Sequence, residues 1–436
     1  MKLGCRTDTV QVKGIAVMTR VLRRDLFRVI VVLAAVGGGI LLADEPKGPP
    51  APTWKIGVPM VSYWAGPPLS EAVVRQMAEG GWNVLWCSEK DLELVHRHGL
   101  RAQLSDGLLS PATLDNPAQR EKLDALIARV RNHPALYSYF ITDEPGTTAF
   151  PALGKLVAYL RQRDPAHMAY INLFPTYASN EQLGAKGDTV TAYREHLRQY
   201  LDTVKPALVS YDHYQFSTTG DTGQYFLNLA LVRQASQQAG VPFLQIVQAC
   251  TWTRSMRVPT GDEMRYLVYT TLAYGAQGIS YYVYCCPNHT GGIALPDGTP
   301  TPAYHALKTL NREFVAIAQE LQPLRSLAIY HAGMNPPGTE PAAKETPFRL
   351  DPPIPPVAYS APQRVRGVLL GSFGEGTSPS HVLVVNLDYK AEIPTALVGP
   401  GALESFDATT GKWSSANGNR LELRLPPGGG KLVRLR

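Results

Sequence analysis

This sequence contains little of what several classes of protein need. Only 18% of its 436 residues are charged, and it has five cysteines and ten histidines. No stripe of lysine and arginine with interleaved aromatic residues runs through the body of the chain, and this lack argues against a nucleic-acid partner. The spacing of the cysteines and histidines does not match a zinc site, so we expect no metal and no other cofactor.

The few cysteines leave their own chemistry open. Cys87, Cys250, Cys285 and Cys286 fall at the ends of predicted strands. In an oxidising compartment Cys250 could bond to Cys285 or Cys286, or the last two could bond to each other. Buried free thiols are the remaining alternative, and the sequence does not separate the three.

The N-terminus is arranged like a targeting segment. Residues 18–28 are basic, residues 29–43 are apolar, and polar residues return at Asp44. This order is typical of a signal peptide. Because the apolar run is shorter than the roughly 20 residues that span a bilayer, we expect cleavage near Ala43 and no stable membrane anchor. Export to the periplasm or the cell exterior follows.

The body of the chain alternates short strand-like runs with amphipathic helix-like runs, which is typical of a parallel α/β fold. Eight such units in series predict a (β/α)8 TIM barrel. A doubly wound open sheet is the alternative, but no glycine-rich phosphate loop follows the first strand. The strands are predicted at residues 55–63, 83–88, 101–105, 137–142, 168–174, 208–212, 243–248 and 278–284.

The character of the chain changes after the last barrel helix. Three Pro-Pro pairs precede a set of short alternating strands, and together they predict a small C-terminal β-sandwich domain. We therefore divide the chain into a leader at residues 1–43, a linker at 44–53, a catalytic barrel at 54–325 and a β-sandwich at 326–436.

Acidic residues end two of the predicted barrel strands. Residues 136–145 (LYSYFITDEP) lead to Asp143 and Glu144, and residues 207–216 (ALVSYDHYQF) lead to Asp212. The C-terminal ends of barrel strands are where enzymes of this fold carry their chemistry. Paired carboxylates at such positions predict acid/base work on a sugar, with a raised pKa for the proton donor Glu144 because of burial and the neighbouring Asp143.

Residues suited to sugar binding also fall near the strand ends. Sugars are bound by flat aromatic faces beside hydrogen-bonding groups. The aromatic candidates are Trp64, Trp86, Tyr211, Tyr214, Trp252 and Tyr284. The polar candidates are Asp106, Asn172, His213 and Gln248.

A barrel whose fourth strand ends in Asp-Glu-Pro, followed by a strand-rich module, resembles the clan A (β/α)8 glycoside hydrolases and their β-galactosidase-like relatives. The resemblance implies that Glu144 is the general acid/base, with Asp143 where the family usually has asparagine. The family's nucleophile is a glutamate ending strand seven. Here residues 243–252 read FLQIVQACTW and contain no carboxylate.

Asp212 is therefore the leading candidate for the second carboxylate. Its separation from Glu144 could be about 5.5 Å or about 9 Å, the values that distinguish retention from inversion, and the sequence does not choose. A further route resembles the hexosaminidases: Glu144 is the acid, and Asp143 orients a 2-acetamido group that attacks its own anomeric carbon.

Together these features predict an exported glycoside hydrolase that acts on an oligo- or polysaccharide by carboxylate acid/base catalysis. The alternative is a non-catalytic carbohydrate-binding barrel, which the missing strand-seven glutamate favours.

Overall fold

Eight parallel strands form the wall of a barrel in the computed structural model, which describes residues 53–342 and 346–436. The predicted leader lies outside the described residues, and so does the predicted linker apart from Thr53. The strands are β1 (Met60–Trp64), β2 (Val84–Cys87), β3 (Arg101–Leu104), β4 (Leu136–Asp143), β5 (Met168–Leu173), β6 (Val209–His213), β7 (Phe243–Gln248) and β8 (Gly278–Tyr282).

The strands follow the order β1-β8-β7-β6-β5-β4-β3-β2, and side chains close the seam between β1 and β2. Asn83 donates its N–H to the Val61 carbonyl over 3.0 Å and accepts the Val61 N–H at its Oδ1 over 2.9 Å. Ser62 Oγ donates to the Val84 carbonyl over 3.0 Å. The predicted α/β barrel is therefore confirmed.

Alternation along the strands divides the apolar residues into two layers. Met60, Val84, Met168, Leu244 and Ile246 belong to a cluster in the barrel interior. A larger cluster fills the space between the strands and the helices. Successive side chains of a strand point to opposite faces, so alternation decides which strand-end residues face the mouth of the barrel.

Helices cover the outside of the barrel and start and stop at recognisable signals. Ser70 caps the first helix, and Thr260 and Glu263 form a capping box on the ninth. Gly240, at φ +66°, ends the eighth in the left-handed conformation that glycine adopts readily. The helices are α1 (Glu71–Glu79), α2 (Leu92–Arg97), α3 (Pro111–Leu114), α4 (Pro117–Val130), α5 (Phe150–Arg163), α6 (Asn180–Leu183), α7 (Thr189–Val204), α8 (Tyr225–Ala239), α9 (Gly261–Ala273) and α10 (Pro302–Leu321).

None of the helices in the described ranges is long and apolar enough for a membrane span.

Short elements complete the loops. The short elements are the 3₁₀ turns Glu89–Asp91 and Thr147–Ala149, the ladder of Phe216–Ser217 with Gly220–Asp221, and the ladder of Cys250–Thr251 with Thr290–Gly291.

The C-terminal region consists of two antiparallel sheets, which confirms the predicted β-rich domain. One sheet has the order β9-β11-β12-β17-β14-β15 and the other β10-β13-β16. An apolar cluster with members from both sheets, including Leu370 and Leu423, lies between them. The strands are β9 (Arg325–Gly333), β10 (Arg349–Asp351), β11 (Gly367–Glu375), β12 (Ser378–Asn386), β13 (Ile393–Val398), β14 (Leu403–Asp407), β15 (Lys412–Ser415), β16 (Arg420–Leu425) and β17 (Gly430–Leu435).

The β-rich region packs directly against the barrel. A Cβ added at Gly371 on β11 would lie 2.3 Å from the Ala273 carbonyl oxygen at the end of α9, so the two backbones touch there. Tyr389 donates its phenol to Asp221 Oδ1 over 2.8 Å in a buried contact. Phe373 and Tyr389 share one continuous apolar cluster with the barrel residue Tyr266.

Replacing the residue that closes the barrel seam should destabilise the whole fold. Asn83→Ala removes the acceptor for Val61 N–H and the donor to the Pro59 carbonyl. We expect the free energy of unfolding to fall by about 2 kcal/mol in urea titrations, because backbone groups are left without partners. Asn180→Ala is the control, since its exposed amide has one partner, the Gly187 carbonyl. Equal losses in the two variants would contradict this account of the seam.

Candidate active site

The first acidic pair ends β4 at the mouth of the barrel. Asp143, the last residue of the strand, is exposed, and Glu144 after it is half-buried. The Glu144 N–H donates to the Asn172 carbonyl over 2.8 Å, which ties this turn to β5. Glu144 has a φ of +44°, a left-handed conformation that residues other than glycine seldom adopt. Backbone strain is thus stored at the residue whose carboxyl reaches towards β6.

The third acid, Asp212, lies on β6 with only 3% of its surface exposed. Its carboxyl is within hydrogen-bond reach of the Glu144 carboxyl. The two acids therefore act on each other directly across β5. The choice between a separation of about 5.5 Å and one of about 9 Å, which distinguishes retention from inversion, stays a prediction.

A buried amide joins the acids. Asn172 Nδ2 donates to Asp143 Oδ1 and to Asp212 Oδ1, each over 3.0 Å. Ser210 Oγ donates to Asn172 Oδ1 over 3.0 Å, and the Tyr170 hydroxyl lies 2.7 Å from Ser210 Oγ. The acids of β4 and β6 are thus connected through side chains of β5 and β6.

Desolvation raises the pKa of all three acids, and the charges of neighbouring acids raise it further for Glu144 and Asp212. For Glu144 the causes are desolvation, then the charges of Asp212 and Asp143. Desolvation is also the main cause for Asp212, followed by the charge of Asp143. Asp143 has a raised pKa through desolvation, which its hydrogen bond from Asn172 opposes. Two contacting carboxyls with raised pKa values share one proton near neutral pH and titrate as a pair.

Aromatic side chains stand on one side of the acids, above the interior cluster. Trp64, Trp86 and Phe140 form a group with ring-centre distances of 4.5–5.8 Å. Phe140 also packs near Tyr170, whose hydroxyl belongs to the hydrogen-bonded chain. Trp64 and Trp86 are half-buried, and their role in substrate binding stays a prediction.

A second aromatic group comes from the loops after β6 and β7 and from the end of β8. Tyr214, Trp252 and Tyr282 lie 4.9–5.2 Å apart between ring centres, and His289 extends the group. Tyr214 and Tyr282 interact electrostatically with Asp212. Trp252 is 36% exposed, so its ring remains available to a ligand.

The sequence analysis missed Tyr177, which lies in the loop after β5. This side chain is 46% exposed, and its ring centre lies 5.0 Å from that of His213. Its phenol interacts with the Tyr214 backbone and with the charges of Asp212 and Glu144. In the sequence, Tyr177 is marked by the run Pro-Thr-Tyr shortly after β5. A search limited to the last residues of each strand does not include it.

Four predicted binding residues are buried, and their contact with a ligand stays a prediction. Tyr211 and Tyr284 are wholly buried in the layer between strands and helices. His213 is also buried, and its ring nitrogens bond to the side chains of Asn228 and Thr222. Gln248 is buried with its amide bonded to backbone groups of Phe216, Cys250 and Arg257.

Two further candidates have structural partners. Asn172 is 2% exposed and both ends of its amide are bonded within the protein, and its contact with substrate stays a prediction. Asp106 Oδ1 accepts the Leu108 N–H over 2.8 Å, which is the contact of a turn-forming aspartate. The described cysteines, Cys87, Cys250, Cys285 and Cys286, are free thiols.

Two other features of the molecule bear on where chemistry occurs. Among residues 53–342 and 346–436, no group of three His, Cys, Asp or Glu side chains is arranged to hold a metal ion. A cavity of about 710 Å³ lies at the opposite end of the barrel, near Trp54 and Phe243. No carboxylate is among the residues that line that cavity. The acids place the candidate site at the carboxyl ends of the strands.

Comparison with known proteins gives a fold but no sequence relationship. No protein-family model matches the chain, and no curated protein matches it in sequence. A GH42 β-galactosidase from G. stearothermophilus has a similar structure, with a TM-score of 0.52, 10% identity, and coverage of 88% of this chain and 100% of that one. At this identity the similarity shows a shared fold, which here is a (β/α)8 barrel with a C-terminal β-rich region.

Two further solved structures that are similar to this chain are also β-galactosidases. Those from the psychrophilic Marinomonas ef1 and from Rahnella sp. R3 have TM-scores of 0.46 and 0.48 and identities of 12% and 14%. The similarity covers 63% and 66% of this chain. This chain spans 63% and 60% of the lengths of those two enzymes.

Removing one charge from the carboxyl pair should stabilise the protein. A carboxyl whose pKa is higher in the folded than in the unfolded chain costs stability as the pH rises through the window between the two values. Because the folded-state pKa of Glu144 is raised, Glu144→Gln should increase the free energy of unfolding relative to the native chain. The gain should grow between about pH 5 and pH 9, to on the order of 1–3 kcal/mol.

Urea denaturation at both pH values measures this gain. Glu375→Gln is the matched control, because Glu375 is an exposed carboxylate on the β-rich region. A Glu144→Gln gain that shrinks with rising pH would show that the Glu144 carboxyl is not held protonated by its surroundings.

Proposed function

We propose that this protein is a glycoside hydrolase in which Glu144 is the general acid and Asp212 is the base or nucleophile. The observation that carries the proposal is the contact between these two carboxyls at the mouth of the barrel, where burial favours one shared proton. A protonated carboxyl next to an ionised one is the pairing that glycosidic cleavage requires. The substrate is a carbohydrate, and the reaction needs no cofactor.

The close contact has a consequence for the reaction. Substrate or water must part Glu144 and Asp212 before either can act, because no atom fits between hydrogen-bonded carboxyls. Glu144 then gives its proton to the glycosidic oxygen, and the charge of Asp212 stabilises the developing oxocarbenium ion or activates a water. Asp143, exposed beside them, raises the pKa of Glu144 through its charge and so helps to keep the proton in place.

The aromatic groups on either side of the acids support a sugar ligand. Tyr177 and Trp252 are the exposed members, and they stand over the side of the cleft formed by β6 and the loops after β5 and β7. Flat apolar faces beside buried acids suit the C–H faces and hydroxyls of a sugar ring. Trp64 and Trp86 would line the other side.

A second candidate function is carbohydrate binding without hydrolysis. It is favoured by the end of β7, where Gln248 stands and its amide is occupied by loop backbone. A third possibility is cleavage assisted by a 2-acetamido group, with Asp143 orienting it, which would leave Asp212 a supporting role. The basic and apolar order of residues 18–43 supports export of the protein.

The acid is tested by Glu144→Gln, an isosteric change. Hydrolysis of aryl glycosides should fall by about 10²–10⁴-fold, because the leaving group loses its proton donor. Binding of an oligosaccharide, measured by calorimetry, should stay within about threefold. Glu375→Gln should leave both quantities unchanged. If the native protein binds a glycan and hydrolyses none in a broad panel, the binding function replaces the enzymatic one.

The exposed tryptophan is tested by Trp252→Ala. Loss of a stacking face should raise KM, or the Kd for a bound oligosaccharide, by about tenfold, while kcat changes by less than about threefold. Trp413→Ala is the control, since Trp413 packs on Phe406 and Arg434 in the β-rich region. Unchanged KM and Kd in Trp252→Ala would place the sugar elsewhere in the cleft.

A further inference from the structure

Strand register brings three polar side chains into one row beneath the acids. Asp143 pairs with Asn172 across β4 and β5, and Asn172 pairs with Ser210 across β5 and β6. Tyr170 lies two residues before Asn172 on the same face of β5. The barrel thus places a tyrosine, a serine and an asparagine directly under the Glu144 and Asp212 pair.

The hydrogen bonds of this row have only one consistent direction. Asn172 must present its NH2 group to Asp143 and Asp212, because carboxylates only accept. Its carbonyl oxygen therefore faces Ser210, which donates its hydroxyl proton there. Ser210 has no second proton, so the Tyr170 hydroxyl donates to Ser210 Oγ. Tyr170 and Ser210 together satisfy the Asn172 carbonyl oxygen in this orientation and so support it against a turn of the amide.

The row donates a hydrogen bond to Asp212 but none to Glu144. Asp212 Oδ1 receives an N–H from Asn172 over 3.0 Å. Both N–H groups of the Asn172 amide are used by Asp143 and Asp212, so neither is left for Glu144. A donated hydrogen bond stabilises the ionised form of the carboxyl that receives it. The proton that the pair shares is therefore favoured on Glu144.

We propose that Asn172, held in one orientation by Tyr170 and Ser210, is a positioning residue that assigns the shared proton to Glu144 and keeps Asp212 as the carboxylate. This inference rests on the proposed function for its catalytic meaning, since the assignment is the one an acid/base pair needs. The location of the proton on Glu144 is argued from the hydrogen bonds that Asn172 makes. No other residue of the described row is needed to break the symmetry of the pair.

Other titratable groups also interact with Asp212. In the described part of the chain, none of them donates a hydrogen bond to Asp212. They lie on β4, β5, β6, β8 and α7 and in the loops after β5 and β6. These groups are Asp143, Tyr170, Tyr177, Tyr193, Tyr211, Tyr214 and Tyr282.

A titration that needs no substrate tests the proposal. Aspartate and glutamate carboxyl carbons are labelled with ¹³C, and the Asp212 and Glu144 signals are assigned from Asp212→Asn and Glu144→Gln. In Ser210→Ala and Tyr170→Phe the Asp212 midpoint should rise by about 0.5–1 pH unit, because its donor is no longer held in place. The Glu144 midpoint should fall as the proton becomes shared more evenly.

Tyr137→Phe is the matched control. Tyr137 is also a buried tyrosine of the barrel interior, but its hydroxyl donates to the Ile56 carbonyl, away from the acids. Its Asp212 midpoint should equal that of the native chain. Unchanged Asp212 midpoints in both Ser210→Ala and Tyr170→Phe would overturn the proposal. Circular dichroism shows whether each variant is folded. If one of the two is misfolded, the other still tests the proposal.

Activity gives a separate reading. If a glycoside substrate is found, the acidic limb of the kcat profile in Ser210→Ala should move to higher pH by the same 0.5–1 unit or so, and the alkaline limb should move to lower pH as the Glu144 midpoint falls. At the optimum pH, kcat should stay within about twofold of the native value. A purely structural defect would lower kcat equally at all pH values and would count against the proposal. Shifted midpoints without any hydrolysis would sink the proposed function and leave the proton assignment standing.

Discussion

Two carboxyl groups in contact, on strands separated by a third, are the constraint around which this molecule is arranged. Glu144 and Asp212 cannot both be ionised at such a distance without a large electrostatic cost, and both are shielded from water. One of them must hold a proton under ordinary conditions. The intervening strand β5 supplies Asn172, which bridges towards the acids of both neighbouring strands and so makes their approach tolerable.

The barrel brings the acids of β4 and β6 together. Asn83 bonds across the seam that closes the barrel, and the strand register sets Asp143, Asn172 and Ser210 side by side. The left-handed backbone of Glu144 turns the chain at the one point where a straight continuation of β4 would carry its carboxyl past the cleft. Stability and chemistry are opposed at this residue, as is common where function needs strain.

The sequence was enough to predict the eight strands and the acids at their ends, because an abrupt change from apolar runs to Asp143, Glu144 and Asp212 is a local signal. The faces of the strands were harder to predict. Tyr211 stands next to Asp212 in sequence but on the opposite side of the sheet, and in a strand buried on both faces the pattern does not reveal which neighbour points inwards. The contact distance and the role of Asn172 depend on register between distant strands, which no single segment encodes.

The shared core of barrel and β-rich region has a consequence for how such proteins can be altered. Tyr389 donates a hydrogen bond to Asp221 in a loop of the barrel. The backbone of Gly371 lies against the end of α9, where there is no room for a side chain. The two parts are therefore not interchangeable modules joined by a tether. A replacement C-terminal region would need a glycine and a tyrosine at the places of Gly371 and Tyr389. Truncation near residue 325 would expose apolar surface along α9.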